Sequence, residues 1–147
     1  MVRRLVLVAA LLVASSSSVL AVGRCSKGSE FGPPLCPLAM PPIQRVVIDE
    51  NGAKSSLEPD ASVDCSNFIL SERMVRRYLA RAKLVPAGAG HSTLDWSACH
   101  ATGSMLFKNG KSARWEISQF RVGSLIRDGQ LEEILLCPTC KERPFDR

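Results

Sequence analysis

Histidine is scarce in this chain of 147 residues, which contains only His91 and His100. Histidine is the one side chain whose ordinary pKa lies near neutral pH, so the chain has few candidates for acid–base catalysis. It also lacks an HExxH motif, a nucleophile elbow and a phosphate-binding loop. One enzyme hypothesis is left, a Cys99 nucleophile with a histidine base that Asp95 orients. We therefore expect no catalytic activity and no cofactor.

After the N-terminal segment, the chain has no long apolar run. A membrane-spanning helix needs ~20 apolar residues, so we expect no membrane span in that part of the chain. Within that segment, Arg3 and Arg4 precede an apolar run at 5–14, and small residues follow. This layout is typical of a secretory signal peptide. We predict cleavage after Gly23, with Ala21 as the alternative, and a periplasmic or secreted protein.

The chain also lacks a strong excess of Lys and Arg over Asp and Glu. The chain carries a formal net charge of +5, and two of its arginines lie in the predicted signal peptide. A nucleic-acid-binding domain needs a more basic and more clustered surface. We therefore expect a soluble mature protein that binds no nucleic acid and makes no stable membrane insertion after signal cleavage.

The chain has six cysteines, all after the predicted signal peptide, and an even number in a short exported chain favours disulfides. They are Cys25, Cys36, Cys65, Cys99, Cys137 and Cys140. Six cysteines permit about 15 pairings, and sequence alone cannot choose among them. We expect Cys25 to pair with Cys36.

The CPTC motif at 137–140 has three interpretations. A thioredoxin-like redox pair would need most of a fold after the motif, and only seven residues follow it. A zinc site would need two further ligands, from Cys65, Cys99 or the histidines. We favour disulfides in which Cys137 and Cys140 reach separately to Cys65 and Cys99, with a direct Cys137–Cys140 bond as the other geometry.

Composition divides the rest of the chain into two parts. Residues 24–43 hold five of the nine prolines, which excludes a helix or a central strand. We interpret them as an extended leader. Residues 44–147 are predicted to form a single domain, and a short apolar run at 44–54 is a candidate edge strand.

The segment 70–84 has the three- and four-residue apolar spacing of an amphipathic helix. Its apolar positions are Leu70, Met74, Val75, Tyr78, Leu79 and Ala82. Ser71 is the predicted N-cap, and Pro86 ends the helix. The opposite face carries Arg73, Arg76, Arg77, Arg81 and Lys83. We interpret this basic helix face as solvated, and it is also the candidate binding face for an acidic partner.

After the helix the pattern changes to strands and turns. Asn109-Gly110 predicts a type I′ hairpin, and the alternation around Trp115 and Ile117 predicts a half-buried strand. Two more strands are expected near 120–126 and 131–136. We therefore predict an α+β domain, in which one amphipathic helix packs on an antiparallel meander of about four disulfide-stabilised strands. Trp115 is expected in the core of the sheet. Trp96, in a loop segment, is also expected in the core, with a partly exposed residue that anchors a partner as the alternative.

Several short motifs resemble those of small exported proteins of unknown function in Gram-negative bacteria. They are Cys65-x-x-Phe68, Asp95-Trp96-Ser97-x-Cys99 followed by Gly103, Asn109-Gly110, Trp115-x-Ile117, and Leu136-Cys137-x-x-Cys140 with Pro144-Phe145. The resemblance covers roughly the last 80 residues and implies an exported bacterial protein, but no known activity.

We therefore expect an exported, disulfide-bonded domain with a binding or structural role. Its usable surfaces would be the basic helix face and the loop at 86–103. Its partner would be an unknown protein or an acidic component of the cell envelope. The alternative is an exported thiol protein that uses Cys137 and Cys140 as a redox pair or as zinc ligands.

Overall fold

A computed structural model describes residues 24–88 and 94–145. The predicted signal peptide lies outside these residues, as does His91. The described chain forms seven strands and one helix. In chain order they are β1 (Cys36–Pro37), β2 (Ile43–Lys54), α1 (Glu72–Arg81), β3 (Lys83–Val85), β4 (Cys99–Phe107), β5 (Ser112–Ser118), β6 (Val122–Arg127) and β7 (Glu133–Leu136).

All seven strands belong to one antiparallel sheet in the order β1-β3-β7-β6-β5-β4-β2. The predicted α+β domain with about four strands is therefore wrong, because the domain is mainly sheet. Consecutive strands β4 to β7 pair in sequence, and β2 extends the sheet at one edge. Strands β1 and β3 have only two and three residues, too few to show a two-residue period.

Helix α1 begins at Glu72 because the Ser71 side chain accepts a hydrogen bond from the Met74 backbone N–H at 3.3 Å. It ends at Arg81, three residues before the predicted end. Residues 83–85 instead pair with β7. The residue before a proline is disfavoured in helical conformation, so Pro86 helps to keep the end of this segment extended.

The helix closes one face of the sheet with Val75, Tyr78 and Leu79, all of them buried. The Tyr78 hydroxyl donates to the Arg121 carbonyl at 2.9 Å. Burial raises the pKa of Tyr78, so the side chain stays neutral. The Phe145 ring stacks on Tyr78 with 5.8 Å between ring centroids, which ties the C-terminal segment to the helix.

The hairpin between β4 and β5 has a different turn from the predicted one. A type I′ turn requires positive φ at both central residues. Gly110 has φ +83°, but Arg121 is the only non-glycine residue with positive φ in the described ranges, so Asn109 does not meet the requirement. The Gly110 N–H donates to the Phe107 carbonyl at 3.0 Å. This is a type I turn followed by a left-handed glycine.

We predict that Gly123→Ala destabilises the fold. An added Cβ would lie 2.7 Å from the Tyr78 hydroxyl oxygen and 2.7 Å from the Glu116 carbonyl oxygen, which no ordinary packing tolerates. The expected loss is about 1–3 kcal/mol, measured by thermal unfolding. Gly32→Ala is the control, because its Cβ would meet only the Ser29 side chain at 3.9 Å. Equal effects of the two substitutions would contradict the proposed packing.

Candidate functional site

All six cysteines form disulfides: Cys25–Cys36, Cys65–Cys99 and Cys137–Cys140. The predicted pair Cys25–Cys36 is confirmed. The favoured links from Cys137 and Cys140 to Cys65 and Cys99 are wrong. Strands β7 and β4 are separated by β6 and β5, so their ends lie roughly 14 Å apart at ~4.8 Å per strand, whereas disulfide Cα atoms lie ~4.4–6.8 Å apart. The direct Cys137–Cys140 bond is the geometry that forms.

These disulfides leave no free thiol among the six cysteines. A disulfide sulfur is neither a thiolate nucleophile nor a zinc ligand, so the bonded state offers no zinc ligand at Cys137 or Cys140 and no nucleophile at Cys99. Residues 24–88 and 94–145 contain no group of three metal-ligating side chains. The buried Cys137–Cys140 bond is also the oxidised form of a redox pair, so the redox alternative stays a hypothesis.

His100 has no nucleophile partner in the described chain. It lies directly opposite Ser118 in the β4–β5 pair, but the Ser118 hydroxyl makes no hydrogen bond there. A nucleophile and its base must approach to about 2.6–3.2 Å. The closest polar contact of the His100 ring is the Ala98 carbonyl at 3.4 Å.

The basic helix face is largely occupied by contacts within the molecule. Arg76 pairs with Glu72 at 2.8 Å and also donates to the carbonyl oxygens of Ile43 and Gln44. Arg81 pairs with Glu142 at 2.6 Å and donates to the Thr139 carbonyl.

Arg77 lies 3.7 Å from the same carboxylate of Glu142. Arg73 is exposed, and no ion pair within the described residues involves it. The arginines near the end of the helix therefore fasten it to the CPTC segment. Of the cations predicted for this face, Arg73 and Lys83 are exposed and without an ion pair in the described residues, and the structure places Lys83 in β3.

The opposite face of the sheet is covered by no helix of the described residues and contains a groove. Three adjoining cavities of about 390, 180 and 270 Å³ share lining residues. We call them together the open-face groove. Trp96, Val122 and Ile134 line the first and second cavities, and Glu116 and Ser124 line the second and third. Glu132 lines all three.

Strand alternation explains this lining. In β6, Gly123 and Leu125 are buried, while Val122, Ser124 and Ile126 between them are only partly buried and line the groove. Cross-strand pairing places Glu116 beside Ser124 and Ser124 beside Ile134. Neighbouring strands therefore contribute both polar and apolar side chains to the same face.

Negative charge dominates the open-face groove. Four carboxylates line it, those of Asp49, Asp95, Glu116 and Glu132. Arg114 is the only basic residue that lines it in the part of the chain that the structure describes. None of the four carboxylates forms an ion pair within those residues.

Ser118 lines the middle cavity and is the one buried polar residue of the described core, at 9% exposure. Its Oγ has no hydrogen-bond partner among the described residues. Leaving a buried hydroxyl unsatisfied costs about 1–3 kcal/mol, so native structures contain few such groups. The Oγ itself is closed off from solvent, so a ligand in the cavity would not contact it in this conformation.

Trp96 is 57% exposed at the edge of the groove, so its expected place in the core is wrong. Trp115 is 2% exposed, which confirms the expectation for that residue. Trp96 lies in the connection from β3 to β4, whose described ends, 86–88 and 94–98, flank the first cavity. Residues 89–93 of the expected binding loop lie outside the described chain.

Comparison of the chain with protein-family models, with curated proteins and with solved structures gives no match. The resemblance to small exported bacterial proteins therefore stays a hypothesis. No helix within residues 24–88 and 94–145 is long and apolar enough to cross a membrane. Three disulfides within one chain are what an oxidising compartment produces.

We predict that the purified mature protein contains three disulfides with the pairing seen here. Alkylation under native conditions should label no cysteine, because all six sulfurs are bonded. Peptide mapping without reduction should recover Cys25–Cys36 and Cys65–Cys99 as linked peptides and Cys137–Cys140 within one peptide. A link from Cys137 to Cys65 or Cys99, or a readily alkylated CPTC pair, would contradict the structure.

We predict a small, pH-dependent stabilisation by Glu142. The backbone N–H of Glu142 and the Arg81 guanidinium hold the pKa of this carboxyl below its ordinary value of about 4.5. The ionised form is therefore favoured in the folded state, and its contribution is present above the unfolded pKa and is lost as pH falls through the folded pKa.

Glu142→Gln should lower the free energy of unfolding at pH 7 by about 0.2–1 kcal/mol, as for other partly exposed pairs. The difference from wild type should disappear in denaturant titrations well below pH 4. Glu30→Gln, at an exposed position in the leader, should have no effect at either pH. A Glu142→Gln deficit that persists at low pH would show that packing, and not charge, is responsible.

Proposed function

We propose that this protein is an exported, disulfide-stabilised binding domain of the periplasm or the cell exterior, and that it recognises a partner protein through the open-face groove. The observation that carries the proposal is the exposed indole of Trp96 at the edge of a groove that both apolar and acidic side chains line. Exposed tryptophans at concave sites are frequent anchors of protein–protein contacts.

The composition of the groove supports binding. It combines apolar walls from Val122, Ile126 and Ile134 with a few polar groups, the usual make-up of a recognition site. The Cys65–Cys99 disulfide and the buried contacts of Tyr78 support the sheet from its other face. A rigid scaffold of this kind lowers the entropy cost of binding.

The basic helix face is a weaker candidate for the partner-binding surface than the open-face groove. Arg76 and Arg81 already have carboxylate and carbonyl partners, so a ligand would have to displace them. An acidic cell-envelope component could still contact Arg73. That contact is a separate proposal, and Arg73→Ala tests it without touching the groove.

The proposal predicts that Trp96→Ala abolishes peptide capture. A mixture of random pentapeptides is passed over immobilised, oxidised protein, and the retained peptides are quantified by mass spectrometry. Truncation of an anchoring tryptophan costs ~2 kcal/mol or more, so retention should fall at least about tenfold. Leu57→Ala is the control, because Leu57 is 80% exposed and does not line the groove.

Retention that survives Trp96→Ala, or that falls equally with Leu57→Ala, would contradict this use of the groove. Unfolding of either variant can be recognised from its Tm. Because Trp96 is exposed and makes no core contact, we expect its substitution to change the Tm by no more than Leu57→Ala does.

A further inference from the structure

We propose that the middle cavity of the open-face groove binds an arginine side chain from an extended segment of the partner protein. This inference deepens the proposed function and rests on it. It assigns the chemistry of the ligand, which the exposed tryptophan alone does not.

The charge of the groove opposes the charge of the whole chain. The sequence carries a formal net charge of +5, and yet four carboxylates and one arginine line the groove in the described residues. Asp95, Glu116 and Glu132 line the middle cavity, where no basic side chain of residues 24–88 and 94–145 joins them. A cation would therefore be attracted to this cavity, and not to the surface in general.

The middle cavity presents several oxygen atoms to a ligand. Ser97 and Ser124 line it together with the three carboxylates. A guanidinium carries five N–H donors and no acceptor, so it can bond several carboxylate and hydroxyl oxygens at once. An ammonium offers three donors from one point and would satisfy fewer of these dispersed oxygens.

The apolar lining fits the rest of an arginine side chain. Val122 and Ile134 provide walls for its three methylene groups, which long basic side chains bury against apolar surface. Trp96 lines the same cavity, and its ring can attract the cation through its negative face. The cavity volume of about 180 Å³ accepts one such side chain.

The neighbouring cavities indicate an extended segment. The first cavity, of about 390 Å³, adjoins the middle cavity on the side of Pro86, Ala87 and Leu94, and suits an apolar side chain. The third, of about 270 Å³, adjoins it on the side of Asp49 and Arg114. An extended chain could therefore place the residues that flank its arginine in both.

Four pentapeptide mixtures test the inference. Each is randomised except at its central position, which is arginine, lysine, citrulline or glutamate. Citrulline keeps the shape of arginine and lacks its charge. We expect the oxidised, full mature protein to retain the arginine mixture at least about tenfold more than the citrulline mixture, since charge-assisted hydrogen bonds are the strong ones.

One variant locates the effect. Glu116→Gln should reduce the preference for arginine over citrulline about tenfold, because it removes one of the carboxylates that line the middle cavity. Glu30→Gln, the exposed control outside the groove, should leave the preference unchanged.

The outcomes separate this inference from the proposed function. Equal retention of the arginine and citrulline mixtures, still lost in Trp96→Ala, would overturn the arginine pocket and leave the binding groove intact. Stronger retention of lysine than of arginine would also overturn it, as would a preference that Glu116→Gln does not change. Retention independent of Trp96 would overturn both proposals, as would self-association in which a second copy fills the groove.

Discussion

The packing of Tyr78 against the sheet is the contact on which the rest of the structure depends. Its buried ring fills the space left by Gly123, and its hydroxyl satisfies the Arg121 carbonyl. Phe145 then stacks on the same ring and holds the C-terminal segment. Because the single helix covers only one face of the sheet, the other face stays open for the groove.

Charge is divided between these two faces in an unexpected way. The helix, with its row of arginines, looks like the binding surface in the sequence, but its arginines near the CPTC segment close contacts with Glu142 and Thr139. Four carboxylates without ion-pair partners in the described chain line the groove on the opposite face. Basic residues therefore stabilise the fold on one face, and the groove proposed for recognition on the other face is acidic.

The CPTC segment belongs to the stabilising part of the molecule. The disulfide within it is buried, and the Cys137 N–H donates to the Arg121 carbonyl, which also accepts from Tyr78. These contacts fasten the end of β7 to the helix. A motif that resembles a redox centre thus occurs in a segment that covalent and packing contacts hold in place.

Local patterns predicted the local parts of the fold. The three- and four-residue spacing gave the helix and its buried face, Ser71 gave its cap, and alternation around Trp115 gave β5. The short strand β3 could not be predicted, because its three residues form a strand only through pairing with β7. The same holds for the disulfides, whose pairing depends on which strands are neighbours.

The open-face groove could not be predicted from the sequence for a similar reason. Asp95, Glu116 and Glu132 are isolated in the sequence, and the strand order brings them together. The missing partner of Ser118 is a property of the tertiary structure and leaves no trace in a sequence pattern. Trp96 carried the one available signal, since a tryptophan in a polar loop segment is a candidate contact residue.

NMR chemical-shift mapping with an arginine-containing pentapeptide tests the central claim most directly, because it reports which face of the intact, oxidised protein the peptide contacts. The account predicts that the perturbed amides cluster at Trp96, Ser118, Val122 and Ile134, with α1 unaffected. Perturbations confined to α1 around Arg73 and Arg77, with the groove amides unmoved, would contradict it.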